Sequence, residues 1–211
     1  MTKSRFTAAV GCATLAAATL AGCSAVGPIM GEWKPAPVGT SWATAQRNTG
    51  SFGQNVQTRT TRMPDQEWKG LQAVALRTSS GILLQHPRDG RWLALMSPDG
   101  RPVVEFDPPA GWTRPIAVGD RWTRTQKMSN LVSGRSTEYE SSCTVAAWER
   151  VTVPAGTFDA LRVECSNSMD AQDTYWTSPA VHPFVKTRLV RGPRNPNGPG
   201  TQDSELLELP S

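Results

Sequence analysis

The stretch 82–106, ILLQHPRDGRWLALMSPDGRPVVEF, decides the fold class, because short apolar runs alternate in it with turn signals. The apolar runs are 82–86, 91–96 and 102–106, and each of the two segments between them contains the dipeptide Asp-Gly. Asp-Gly between apolar runs is typical of tight hairpins, since glycine accepts the positive φ that the turn requires. The stretch therefore predicts a three-stranded antiparallel meander.

The remaining chain has the same character. Segments 140–148 and 158–164 alternate in polarity and flank the turn at 153–157, where Pro154 fixes φ. The best helical candidate is 67–77, but its Gly70 and Val74 favour a strand. We predict a mainly β chain.

An internal echo suggests two related units, 38–117 and 118–195. The pattern Val-Gly-x-x-Trp at 38–42 recurs at 118–122, which is an offset of 80. Further matches are Gln46 with Gln126, Trp68 with Trp148, Ala-Leu-Arg at 75–77 with 160–162, and loosely Trp92…Ser97-Pro98 with Trp176…Ser178-Pro179. Repeats of this length suggest a duplicated unit of antiparallel strands rather than a many-copy solenoid. Chance similarity is the alternative, because few positions match.

The N-terminus has the layout of an export signal. Lys3 and Arg5 precede the uncharged stretch 6–20, which is too short for a comfortable transmembrane helix. An ordinary secretory signal is one interpretation. However, the sequence Leu-Ala-Gly-Cys at 20–23 resembles the lipobox of bacterial lipoproteins, whose cysteine thiol receives a diacylglyceryl group. We predict a signal peptide over 1–22 and lipidation of Cys23, which would anchor the chain to a membrane.

The predicted anchor is followed by a flexible tether, residues 23–37, with few periodic features. Position 24 is Ser rather than Asp, and, in an organism with two membranes, resemblance to lipoprotein sorting signals then implies the outer membrane, facing the periplasm. At the other end, residues 196–211 are expected to form a flexible tail or a short closing strand.

Cysteine usage fits an exported chain. Cys12 leaves with the signal and Cys23 is the lipidation site, so Cys143 and Cys165 remain as an even pair in an oxidising compartment. We predict a disulfide between them. A reactive thiol pair is the alternative, but it usually has Cys-x-x-Cys spacing, which is absent here.

One motif carries a family resemblance. The string VTVPAGTFDALRVE at 151–164 lies between Val-Gly-x-x-Trp at 118–122 and Tyr-Trp-x-Ser-Pro at 175–179. It resembles a motif of a large group of uncharacterised bacterial periplasmic proteins and lipoproteins, over residues 118–190. The resemblance implies a curved β-sheet or partly open barrel, and it implies no settled activity and no catalytic residues. His182 departs from the group's more usual Val-Gly at this point.

Motifs for catalysis, metals and nucleic acids are absent from the sequence. The net charge of +4 falls to +2 without Lys3 and Arg5, and basic residues are not clustered as in nucleic-acid-binding proteins. Two histidines, His86 and His182, have no metal-ligand spacing, and no serine-nucleophile or phosphate-loop motif occurs. Strand acids that a two-carboxylate hydrolase would need exist at Glu138, Glu140, Asp159 and Glu164. We expect no catalytic residues, no metal and no cofactor.

The eight tryptophans are the most informative side chains for function. Most are expected to be core, but some would line a groove for an envelope lipid, glycan or peptide. Tyr175 and Trp176 are the candidate pair, since adjacent strand residues face opposite sides. The leading hypothesis is a non-enzymatic, membrane-anchored module that binds an envelope component or a partner protein. A structural or assembly accessory without a small ligand, and then a carboxylate-dependent hydrolase, are the alternatives.

Overall fold

The computed structural model describes residues 28–181, 184–209 and 211. Within them, twelve antiparallel strands follow one another around a closed barrel, in which β1 also pairs with β12. The strands are β1 (Ser41–Gly50), β2 (Val56–Trp68), β3 (Leu71–Thr78), β4 (Gly81–Gln85), β5 (Trp92–Met96), β6 (Pro102–Ala110), β7 (Arg121–Asn130), β8 (Arg135–Val153), β9 (Gly156–Asn167), β10 (Ala171–Thr177), β11 (Lys186–Arg191) and β12 (Gly200–Glu208). The mainly β prediction is confirmed, and the barrel is closed rather than partly open.

The deciding stretch forms three adjacent strands. Its apolar runs correspond to β4, β5 and β6, and the glycines of its two Asp-Gly dipeptides have φ of 72° and 84°. The preference for strand over helix in 67–77 is also confirmed, because this segment contains the end of β2, a turn and most of β3.

The segments that connect the strands differ between the two ends of the barrel. The end that we call the rim carries short turns, at 51–55, 79–80, 97–101, 131–134 and 168–170, together with the longer turn 192–199. The opposite end, the base, carries three irregular segments, 28–40, 111–120, and 178–181 with 184–185. Two clusters of buried apolar side chains include residues from these base segments, so the base contains packed core.

The predicted tether corresponds in part to packed chain. Cys23 and the predicted signal peptide 1–22 lie outside the described residues. From Met30 onward the tether interpretation is wrong, since Met30 exchanges backbone hydrogen bonds with Ile116 at 2.9 and 3.1 Å and Trp33 is buried. Their apolar side chains gain burial against the barrel, which a free tether would forgo. At the other end, residues 196–211 contain the closing strand β12 rather than only a tail.

Two equivalent turns begin the two predicted units. Gly39 and Gly119 both have positive φ, 93° and 97°, just before β1 and β7. Gly39 N–H donates to Arg62 C=O on β2 at 2.8 Å, and Gly119 N–H donates to Val145 C=O on β8 at 2.9 Å. The looser match of Trp92 with Trp176 has no such counterpart, because these residues lie on β5 and β10, which are not corresponding strands. Duplication of a six-strand unit stays a prediction.

Candidate ligand-binding interior

Alternation along the strands decides which side chains enter the barrel. On β10, Asp173 and Tyr175 line interior cavities, whereas Trp176, which directly follows Tyr175, lines neither of these cavities. Successive residues of a strand point to opposite faces, so this division follows from the backbone alone. A barrel of twelve strands is wide enough that inward side chains do not fill it completely.

Three aromatic side chains, Trp112, Tyr175 and Phe184, meet in this interior, and Trp92 lines the same cavities. We call Trp92, Trp112, Tyr175 and Phe184 the aromatic cluster. The ring centroid of Tyr175 lies 5.3 Å from that of Trp112 and 5.2 Å from that of Phe184, and the Trp112 and Phe184 centroids are 5.9 Å apart. Tilted and edge-on contacts at these distances are favourable for aromatic pairs. Trp112 and Phe184 come from irregular segments of the base, not from strands.

Three cavities surround the aromatic cluster. The charged chamber, whose lining includes Asp173 and Arg191, and the threonine chamber, whose lining includes Thr58 and Thr60, have volumes of about 310 Å³ each. The base pocket, whose lining includes Arg114, has a volume of about 240 Å³. Trp92 and Phe184 line all three cavities. The aromatic cluster therefore lies between the three cavities. The charged chamber and the threonine chamber each reach the lower end of the size range of small-molecule sites.

The charged chamber is lined by several ionisable groups. Asp173 accepts a hydrogen bond from the Tyr175 hydroxyl at 3.4 Å, and Arg191 stacks over the Phe52 ring with 3.9 Å between its Cζ and the ring centroid. Burial raises the pKa of Asp173 to about 6, although Tyr175 and Arg191 act in the opposite direction. Burial, followed by the charge of Asp173, also raises the pKa of Tyr175 well above its usual value and raises that of Tyr139. The chamber thus has a carboxyl group that titrates near neutral pH.

The threonine chamber has neutral polar walls. It is lined by five threonines together with glutamine and serine side chains, namely Thr44, Thr58, Thr60, Thr78, Thr187, Gln46, Gln85, Gln202 and Ser204. The single charged residue of its lining, Lys186, is paired with Glu205 at 3.0 Å. Gln85 is 6% exposed, and its Oε1 accepts no hydrogen bond from any described residue. A buried carbonyl oxygen without a donor is costly, so this wall offers an acceptor for a ligand hydroxyl or amide.

The sequence-predicted residues are placed as follows. Tyr175 lies in the aromatic cluster, but Trp176 does not join it, because its Nε1 donates to Glu149 Oε1 at 2.7 Å on the outer surface. The predicted disulfide is confirmed. Cys143 and Cys165 are direct partners on β8 and β9, with 4.1 Å between their Cα atoms, and they line the charged chamber.

In the described part of the chain, the candidate acids and His86 do not assemble into a site. The four strand acids considered for hydrolysis are all exposed, and none of them lines a chamber. His86 lies at the base with its Nδ1 3.3 Å from Asp89 Oδ1, whereas His182 is outside the described residues. Across residues 28–181, 184–209 and 211, no group of three His, Cys, Asp or Glu side chains is arranged to hold a metal ion. In the same residues, no helix has the length and apolar character to cross a membrane.

Sequence reasoning missed Asp173, Trp112 and Phe184. Asp173 could have been found, because it lies two residues before Tyr175 and period two places both on one face. Trp112 and Phe184 lie in irregular segments, where no periodicity indicates which way a side chain points.

Comparison with known proteins gives a limited result. No family model and no curated protein matches the chain. Among solved structures, it is similar to an inferred exported protein with a YmcC-like fold from Bacteroides fragilis, with 15% identity, a TM-score of 0.49, and coverage of 85% of this chain and 99% of that one. It is also similar to an inferred lipoprotein from Parabacteroides distasonis, with 14% identity, a TM-score of 0.43, and coverage of 83% and 97%. The hypothetical lipoprotein YmcC from Escherichia coli has 16% identity, a TM-score of 0.46, and coverage of 80% and 84%. At these values, conclusions about this chain depend on its own residues.

Proposed function

We propose that this chain is a lipid-anchored envelope protein that binds a small amphipathic molecule inside its barrel and catalyses no reaction on it. The observation that carries the proposal is the pair of 310 Å³ chambers that meet at the aromatic cluster. Cys23 would provide the anchor. Ser24 favours the outer membrane, with the barrel in the periplasm, in an organism that has two membranes.

The walls of the chambers support an amphipathic ligand. Trp92, Tyr175 and Leu189 line both chambers and offer apolar contact at the centre. Polar groups lie around this centre, with charged side chains on one side and threonine hydroxyls on the other. Pockets for small molecules typically combine an apolar lining with a few placed polar groups, and this interior has that composition.

The same lining argues against hydrolysis. Asp173 is the one carboxylate that lines the charged chamber, and the threonine chamber has none. Hydrolysis by paired carboxylates needs two acids that flank the reacting bond. Asp173, whose partners are Tyr175 and Arg191, has no second acid beside it in the chamber. It is therefore better suited to binding a ligand than to hydrolysing one by the two-carboxylate mechanism.

The test enlarges one side chain that lines the chambers and uses the same substitution at the neighbouring, outward-facing residue as the control. Leu189 lines both chambers, whereas Val190 points to the outer face of the same strand. Binding of an anthroyloxy-labelled stearate, followed by fluorescence, should weaken at least about tenfold in Leu189→Trp, a loss of about 1.4 kcal/mol, and stay unchanged in Val190→Trp. Native mass spectrometry of the parent protein would detect a ligand that copurifies.

Two results would contradict the proposal. The first is equal stearate affinity for Leu189→Trp and Val190→Trp. The second is a parent protein that carries no copurifying molecule and binds neither the stearate nor a lysophospholipid.

A further inference from the structure

The base of the barrel is the end nearest the proposed anchor. The described chain begins at Pro28 on this end, which is five positions after Cys23. Five extended residues span at most about 18 Å, so an anchor at Cys23 would hold the base close to the bilayer. This step depends on the proposed lipidation, and the next observation does not.

Exposed apolar side chains lie at this end as well as at the rim. Of the seven large apolar residues that are exposed in the described part of the chain, four are at the base, namely Ile29, Val38, Val118 and Leu209. Their exposed fractions range from 39% to 68%. Side chains of this kind lose unfavourable contact with water when they enter the interface of a bilayer.

The base pocket lies among the segments of this end. Its lining includes Trp33, Trp92 and Trp112, together with chain from 30–34 and from 178–181. Indole rings combine an apolar body with an N–H donor. The pocket therefore has largely aromatic walls beside its charged residues.

Arg114 supplies the pocket with an uncompensated positive charge. It is half-buried, and its Nη2 donates to Thr177 Oγ1 at 3.3 Å, a hydroxyl that is itself 1% exposed. No carboxylate of the described residues lies within 4 Å of its guanidinium. By contrast, Arg91 in the same lining is paired with Asp89 at 2.9 Å. The other charged residues of the lining, Glu32 and Lys34, are exposed to water, which screens them.

We propose that the base pocket binds the phosphate of an anionic phospholipid headgroup from the bilayer that carries the anchor, with Arg114 as the phosphate ligand. A guanidinium fork matches two phosphate oxygens, and the bound anion would compensate the charge that the pocket leaves unpaired. The contact fixes the orientation of the barrel, with the base on the membrane and the rim directed away from it.

The test uses the mature chain with Cys23→Ser, so that binding does not depend on the lipid anchor. Flotation with vesicles of phosphatidylcholine alone is compared with vesicles that also contain phosphatidylglycerol. The mixed vesicles should bind about tenfold more tightly, and Arg114→Gln should remove most of this difference. Arg135→Gln changes an exposed arginine at the rim and should bind like the parent.

Three further measurements make the outcome specific. Arg114→Lys should keep part of the preference, and circular dichroism checks that each variant folds. Equal binding of Arg114→Gln and Arg135→Gln to the mixed vesicles overturns the headgroup assignment. So does tight binding of inorganic phosphate in the absence of vesicles, since a soluble phosphate would then be the ligand. The proposed interior function is read separately, because Leu189→Trp should change stearate binding and leave vesicle binding intact.

Discussion

The two halves of the barrel, β1–β6 and β7–β12, begin with the same turn but have different inner walls. The ionisable side chains of the charged chamber, Arg124, Tyr139, Asp173, Tyr175 and Arg191, all come from the second half, as does the disulfide. Four of the five threonines of the other chamber come from the first half. The same arrangement of strands can therefore carry either ionisable or neutral polar side chains. The inward-facing residues of each half decide which ligand groups its wall can bind.

The largest expected difference concerns the tryptophans that follow the two equivalent turns. Trp42 is 1% exposed in the base core, whereas Trp122 lines the charged chamber and is half-buried. Trp42→Ala should lower the free energy of unfolding by about 3–5 kcal/mol, and Trp122→Ala by about 1–2 kcal/mol, because a half-buried side chain loses fewer contacts on truncation. Urea unfolding followed by far-ultraviolet circular dichroism measures both, and equal losses would show that the two sites are packed alike.

The next effect is confined to the second half. Cys143 and Cys165 are separated by 22 positions, and closure of a loop of this length restricts the unfolded chain. The double variant Cys143→Ala/Cys165→Ala should therefore be less stable by roughly 3 kcal/mol. Adding a reductant should destabilise the parent and leave the variant unchanged. A parent protein that does not respond to the reductant, under conditions that free both thiols, would contradict this account.

Features that depend on local sequence could be predicted, whereas features that depend on distant residues could not. The Asp-Gly turns and period-two alternation gave the meander of β4–β6 and the facing positions of Cys143 and Cys165, because both signals are local. Closure of β1 on β12 joins residues that are about 150 positions apart, such as Thr49 and Thr201, and no local pattern encodes that pairing. The aromatic cluster could not be predicted for a related reason. Phe184 reaches the interior from an irregular segment, in which no alternation of residues indicates where a side chain points.

The ionisable wall should also make stability depend on pH. The pKa of Asp173 is raised from 3.8 to about 6, so the folded state holds its proton more tightly than the unfolded state does. Stability should therefore fall as the pH rises from about 4 to about 6 and then level off. Asp173→Asn removes this dependence and should be more stable than the parent at pH 8 by about 1–2 kcal/mol, with little difference at pH 4. Thermal unfolding across this range provides the measurement.

A matched acid on the outer surface sharpens that result. Asp159 is exposed and lies 3.3 Å from Arg150, so Asp159→Asn should change stability only slightly at either pH. If Asp159→Asn shifts the pH profile as much as Asp173→Asn does, the titration does not originate in the charged chamber.

The smallest expected effect tests the likeness of the halves rather than their difference. Gly39 and Gly119 have φ of 93° and 97°, and a Cβ added at either position would meet no atom within 4 Å. The cost of Gly39→Ala and Gly119→Ala therefore comes from the backbone alone and should be equal, about 1–2 kcal/mol each. Gly31→Ala is the control, because Gly31 also has open space around it but does not have positive φ, and it should change stability by less than about 0.5 kcal/mol. Unequal losses at Gly39 and Gly119 would mean that packing beyond the turn distinguishes them. Equal losses would support a common origin of the two turns, and hence of the two six-strand units.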